Sequence, residues 1–95
     1  MANEPMSVGT AIQMARKEAR DADGKEITQE GLARAAKCST ATISKIESGT
    51  RLPSNEVLDR IIAALGADPT LAAALRRALQ RESDAQKLGG VSGLS

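Results

Sequence analysis

Residues 28–49 read TQEGLARAAKCSTATISKIESG and carry the signals of two short helices in quick succession. Thr28 and Ser39 are hydroxyl residues of the kind that caps a helix N-terminus. The first helix is predicted to run to about Ala36 and the second over about Thr40–Ser48, where a glycine ends it. Apolar residues recur at helical spacing in both, which predicts one buried face on each helix. These residues are Leu32, Ala33 and Ala36 in the first helix and Ile43 and Ile46 in the second.

Three further helical patterns flank this segment. Counted along the whole chain, the first helix is predicted from about Ser7 to Ala22, with the Asp23-Gly24 turn after it. The two helices described above are then the second and the third. A fourth opens at Pro53-Ser54 and carries an apolar stripe as far as Gly66. Asp68-Pro69 then starts a fifth, because a capping residue before proline is a helix-start signal. With no strand candidate in the chain, the sequence predicts a compact, all-α, five-helix domain.

The two ends of the chain look different from the middle. Residues 1–6 are predicted to be a flexible N-terminus, and residues 7–81 form the domain. After about Glu82 the helical pattern fades towards GGVSGLS, so residues 82–95 are expected to be a flexible tail. Leu71, Leu75 and Leu79 can either pack on the core or form a twofold interface, and we favour the interface.

The composition excludes several functions. The 95 residues contain no His, Phe, Tyr or Trp and a single Cys, Cys38. His-based metal sites, Cys/His catalytic pairs and aromatic stacking platforms are therefore ruled out. We expect no enzyme activity, no metal and no cofactor. No apolar run approaches the length of a membrane span and no signal peptide is visible, so a cytoplasmic protein is expected. A core without aromatic residues is thin, which favours a homodimer.

Positive charge is concentrated in the middle of the chain. Overall, 13 basic side chains nearly balance 12 acidic ones. Residues 33–52, however, include four basic side chains and one acidic one, whereas residues 53–75 include one basic and three acidic ones. A local basic region of this kind is what a nucleic-acid contact requires, even when the net charge is small.

Two short helices and a tight turn have the size of a helix-turn-helix unit. Residues 28–49, with Arg51, Pro53 and the pattern up to Leu65-Gly66, resemble the Xre/Cro-type helix-turn-helix proteins, which include lambdoid phage repressors. The resemblance covers about Ile12 to Pro69. It departs from the family at Lys37, where glycine is usual and the conformation is expected to be left-handed, and in a longer connection from Arg16 to Thr28. That extra length is expected to extend the first helix and enlarge a surface loop.

The resemblance implies roles for particular residues. The exposed face of the third helix would contact base edges in the major groove, through Thr40, Ala41, Ser44 and Lys45. The DNA backbone would be contacted by Gln29, Lys37, Ser39 and Arg51. Arg16 and Glu47 match a family pair that forms a largely buried salt bridge.

The leading hypothesis is a sequence-specific regulator of transcription that binds double-stranded DNA, as a dimeric repressor on an inverted repeat. The alternative is a helix-turn-helix module that holds a protein partner, as an antitoxin or an antiactivator, with the tail as the contact. The small net charge and the short side chains of the third helix favour the alternative.

Overall fold

The computed structural model describes the backbone of residues 7–94 and the side chains of residues 7–85. Within that part of the chain there are five α-helices, which confirms the predicted all-α class. They are α1 (Val8–Glu18), α2 (Gln29–Ala35), α3 (Thr40–Ser48), α4 (Asn55–Leu65) and α5 (Pro69–Leu94). The expectation for residues 1–6 lies outside the described residues.

Local capping explains where the helices begin and end. At four helix starts a hydroxyl side chain accepts a hydrogen bond from the backbone N–H three residues on; the capping residues are Ser7, Thr28, Ser39 and Ser54. The Asp68 carboxylate accepts from the Leu71 N–H at 2.7 Å in the same way. Gly49 and Gly66 end α3 and α4 in the left-handed conformation. The predicted bounds of α3 are thus confirmed at both ends.

The first helix is shorter than predicted. It ends at Glu18, because Ala19 turns into extended backbone, and Arg20 pairs with Glu26 in an isolated antiparallel bridge. The Asp21 carboxylate accepts the N–H groups of Asp23 and Lys25, both at 2.9 Å. A side chain that bonds nearby backbone in this way competes with helix formation. The extra residues therefore lie in the loop and do not extend α1. The predicted extension of the first helix is wrong.

The fifth helix is longer than predicted. Its backbone is helical to Leu94, where the sequence suggested a flexible tail from Glu82. No proline follows Pro69, and each of Gly89 and Gly90 costs only about 1 kcal/mol within a helix. The carboxylate of Glu82 accepts a hydrogen bond from the Val8 N–H at the start of α1, so this residue is attached to the domain. In the described part of the chain, no helix is both long enough and apolar enough to span a membrane.

One aliphatic core joins the five helices. The main pairs in contact are α1 with α3 and α5, α2 with α3 and α4, and α4 with α5. The largest fully buried side chains are Val8, Ile12, Leu32, Ile43, Ile46, Leu58, Ile61 and Leu75. Leu75 is 0% exposed and Leu79 6% exposed, so both belong to this core. The favoured assignment of this stripe to a twofold interface is therefore wrong for these two residues; Leu71 is half-buried.

A close contact between α1 and α3 depends on Gly9. A Cβ atom at this position would lie 2.0 Å from the backbone oxygen of Ile46. This oxygen belongs to the C-terminal end of α3, where it also accepts from the Gly49 N–H at 3.1 Å. Because a Cβ atom is fixed in place by the backbone of its own residue and the Ile46 oxygen is itself backbone, neither can move aside as the end of a flexible side chain can. Gly9 therefore sets the distance between α1 and α3.

We predict that Gly9→Ala lowers the free energy of unfolding by about 1–3 kcal/mol, the usual cost of forcing an extra carbon into a packed site. The gain in helix propensity, about 1 kcal/mol at most, does not offset a clash with backbone. Urea unfolding followed by circular dichroism measures the change. Met14→Ala, at a residue 47% exposed, is the control and should change stability by less than about 0.5 kcal/mol. A Gly9→Ala protein as stable as the parent would contradict the close contact.

Candidate nucleic-acid interface

The α2–turn–α3 unit is held together by small buried residues and a tight connection. Ala33 is 2% exposed. Because its side chain is a single methyl group, α3 can cross close to α2. In the turn, the Cys38 N–H donates to the Ala33 oxygen at 2.9 Å, and the thiol of Cys38 is half-buried. Lys37 has φ 61°, the left-handed conformation expected where glycine is usual. The unit thus has the geometry of a helix-turn-helix, with a lysine in its turn.

A buried ion pair fixes the second helix of this unit to α1. Arg16 Nε donates to Glu47 Oε2 at 2.7 Å, and Arg16 Nη2 donates to Glu47 Oε1 at 3.0 Å. The side chains are only 10% and 2% exposed. Arg16 Nη1 also donates to the Ile27 oxygen at 3.0 Å, just before α2. The structure therefore brings together the two residues that the resemblance paired, and the hydrogen bond to Glu47 raises the pKa of Arg16 above its ordinary value.

Gln29, at the start of α2, joins the same group. Its Nε2 donates to Glu47 Oε1 at 3.0 Å, a contact that the sequence did not indicate. The amide nitrogen carries two hydrogens, so one remains to donate elsewhere. Among the described residues, every buried polar side-chain atom has a hydrogen-bond partner. The ion pair is thus fully hydrogen-bonded and connects α1, α2 and α3.

The outward face of α3 consists of short side chains and one lysine. Ile43, Ile46 and Glu47 are buried against the domain. The residues on the opposite face are exposed, and they are Thr40, Ala41, Ser44, Lys45 and Ser48. The four residues that the resemblance assigned to base contact therefore lie together on one surface of the helix. Ser48 is on the same face and was not among them.

Several hydroxyl groups near this face already have partners. The Ser39 and Thr42 hydroxyls lie 2.9 Å apart, and Ser39 also caps α3. The Ser48 hydroxyl donates to the Lys45 oxygen at 3.0 Å. Thr40 and Ser44 have no side-chain hydrogen bond within the described part of the chain. Their hydroxyls are therefore the ones on this face that are available to a ligand.

Positive charge stands at both ends of α3 as well as on its face. Lys37 precedes the helix and Arg51 follows it, and both are exposed. The Arg51 N–H donates to the Lys45 oxygen at 3.2 Å, which holds the loop against the end of α3. Lys37, Lys45 and Arg51 form no ion pair with a carboxylate of the described residues, whereas Arg34 pairs with Glu30 at 3.5 Å. These three cations are available for an anionic ligand.

The comparison with known families agrees with this geometry. The family model described as a helix-turn-helix domain matches residues 8–75, which is most of the chain. It begins at the first residue of α1 and ends within α5, and it is consistent with the Xre-type resemblance. No curated protein matches the chain.

We predict that Arg16→Met destabilises the protein by about 3–5 kcal/mol, because it leaves the buried Glu47 carboxylate without its cation. The double variant Arg16→Met/Glu47→Leu should recover most of this loss, since no unpaired charge remains. Urea unfolding of both variants measures the difference. A single variant no less stable than the double one would contradict the prediction.

The contribution of Arg16 itself should be independent of pH near neutrality. Because the pKa of Arg16 is raised in the folded state, its contribution is complete below the ordinary pKa of arginine. It disappears only when the pH rises through the higher folded-state value. The stability difference between the parent and the double variant, in which no stranded carboxylate is left to titrate, should therefore be constant between about pH 6 and about pH 9.

We predict that Lys37→Gly raises the free energy of unfolding by about 1 kcal/mol, because glycine adopts the left-handed conformation without the penalty of a Cβ atom. Lys37→Ala removes the same charge but keeps the Cβ atom, so it should leave stability nearly unchanged. Thermal unfolding of the two variants separates backbone strain from charge. Equal effects of glycine and alanine would show that the strain is absent.

Proposed function

The chain belongs to the helix-turn-helix domain family, and we propose that it is a sequence-specific transcriptional regulator acting on double-stranded DNA. The observation that carries the proposal is the surface of α3. It is exposed along one side, it has a lysine without an acidic partner among the described residues, and its other side is locked to α1 and α2. An α-helix presented in this way fits the B-DNA major groove.

The proposed roles follow from where each side chain lies. Thr40, Ala41, Ser44 and Lys45 contact base edges, because they are the exposed face of α3. The backbone contacts are positioned around that face: Lys37 before α3, Arg51 after it, Ser39 at its first turn and Gln29 at the start of α2. The free N–H of the Gln29 amide suits a phosphate oxygen, since its other N–H is held by Glu47.

We further propose that the protein acts as a homodimer, as a repressor on an inverted repeat, and in the cytoplasm. A symmetric dimer places its two recognition helices about 34 Å apart, one turn of DNA. The support is physical: a core without aromatic residues gains stability from a second subunit. With Leu75 and Leu79 inside the core, the interface has to use other residues. Sedimentation equilibrium measures the oligomeric state of the protein in solution.

A selection experiment tests the proposed function directly. The purified protein is incubated with random-sequence duplexes, bound duplexes are amplified through several rounds, and the affinity of the enriched sequence is titrated against salt. Enrichment of an inverted repeat whose affinity falls steeply with salt is the expected result. If no sequence is enriched and binding is weak even at low salt, the proposed function is contradicted and the alternative hypothesis of a module that holds a protein partner is favoured.

We predict different effects for two cations at this surface. Arg51→Ala should weaken binding to all duplexes and reduce the salt slope by about 1, as expected for loss of a phosphate contact. Lys45→Ala should weaken binding to the enriched sequence more than to random duplex, as expected for loss of a base contact. Arg77→Ala, an exposed change on α5 outside the α2–α3 surface, is the charge-matched control. Parent-like binding by both Arg51→Ala and Lys45→Ala would place the DNA on another face.

A further inference from the structure

We infer that each half-site recognised by this protein contains a guanine read by Lys45 and, one or two base pairs away, a thymine whose methyl group packs against Ala41 and Thr40. This inference rests on the proposed function and names the bases that the same surface selects. It follows from the side chains that α3 exposes and from the kinds of base contact that these side chains cannot make.

Two kinds of base contact are missing. Adenine is read by a bidentate amide and cytosine by a carboxylate acceptor. Residues 40–48 contain no Asn or Gln, and their single acid, Glu47, is buried against Arg16. Gln29, the amide nearest to α3 in the hydrogen-bond network, is held by the same carboxylate. The α3 surface therefore carries no group that specifies adenine or cytosine directly.

The contacts that remain select guanine and thymine. Lys45 is the single long side chain on the exposed face of α3, and an ammonium donor matches the O6 and N7 acceptors of guanine. Ala41 and Thr40 present methyl groups, which pack against the C5 methyl of thymine. The hydroxyls of Thr40 and Ser44 donate or accept equally well, so they add affinity without choosing a base.

The spacing follows from helix geometry. Ala41 and Lys45 are one turn apart on the same face, which is about 6 Å along the helix axis. Successive base pairs are about 3.4 Å apart along the DNA axis. Their separation along the oblique groove is larger, so a helix that follows the groove places the two contacts one or two base pairs apart. Short side chains at positions 40, 41 and 44 also permit the close approach that a methyl contact needs.

The test uses modified bases in the duplex obtained by selection. Each thymine of one half-site is replaced in turn by deoxyuridine, which removes only the methyl group, and each guanine by 7-deazaguanine, which removes N7. The full-length protein should lose about 4-fold in affinity at one thymine, the value of one methyl group. It should lose about 5- to 10-fold at one guanine, part of the discrimination of a lysine–guanine contact.

Variants assign each effect to a side chain. In Lys45→Ala the affinity penalty for 7-deazaguanine should vanish. In the control Lys17→Ala, which removes the same charge from an exposed position on α1, the penalty should persist. In Ala41→Gly the deoxyuridine penalty should shrink towards unity. If Ala41→Gly does not fold, the modified duplexes still test the thymine contact with the parent protein.

The outcomes separate this inference from the proposed function. An enriched duplex that tolerates every modified base overturns the inference and leaves the function standing. A 7-deazaguanine penalty that persists in Lys45→Ala also overturns it, because a group other than Lys45 then reads that guanine. Failure to enrich any duplex overturns the proposed function and this inference with it.

Discussion

The Arg16–Glu47 ion pair is the interaction on which the geometry of this small domain depends. Glu47 lies on the buried side of α3, and Arg16 reaches it from α1 with two hydrogen bonds. The remaining guanidinium contact goes to the chain just before α2, and Gln29 joins from α2 itself. Removing either charge leaves the other buried without compensation, so the three helices are coupled in their positions. The DNA contacts proposed for α3 need such a support, because a small shift of the helix would displace all of them.

Small side chains provide a second constraint, since the aliphatic core has no large rings to fill space. Gly9 lets α1 approach the end of α3 backbone to backbone, and the small side chain of Ala33 is buried in the α2–α3 unit. Close packing of this kind maximises dispersion contacts without aromatic area. It also makes the domain sensitive to single added methyl groups. The ion pair sets the orientation of α3, and these small residues set its distance from the neighbouring helices.

The groups that α3 can offer to a ligand are those that its buried side and its caps do not use. Ile43, Ile46 and Glu47 are committed to the core and to the ion pair. The hydroxyls of Ser39, Thr42 and Ser48 are committed to capping and to the helix end. What remains for a ligand is two hydroxyls, two methyl-bearing side chains and one ammonium group. A surface this simple suits the proposed function if recognition depends on the shape of the groove, on phosphate contacts and on a few bases.

Local features of the sequence were enough to predict α2, α3 and α4. Caps such as Thr28 and Ser39 act on N–H groups three residues away, and Gly49 and Gly66 act on the preceding turn. The face of α3 that points outward was likewise predictable, because Ile43 and Ile46 mark the inward side. The pairing of Arg16 with Glu47 came from the resemblance, since no local rule connects residues 31 positions apart.

Tertiary structure alone decided which surfaces meet. The leucines of α5 show one apolar stripe in the sequence, but only packing against α1 and α4 reveals that Leu75 and Leu79 belong to the protein's own core. The end of α1 at Glu18 depends on hydrogen bonds made by Asp21, and the contact of Gln29 with Glu47 crosses two helices. The requirement for glycine at position 9 arises from a carbonyl on α3. Caps and apolar spacing act within about one helical turn and can therefore be predicted from the sequence. Which helix packs against each apolar face is set by residues far away in the chain.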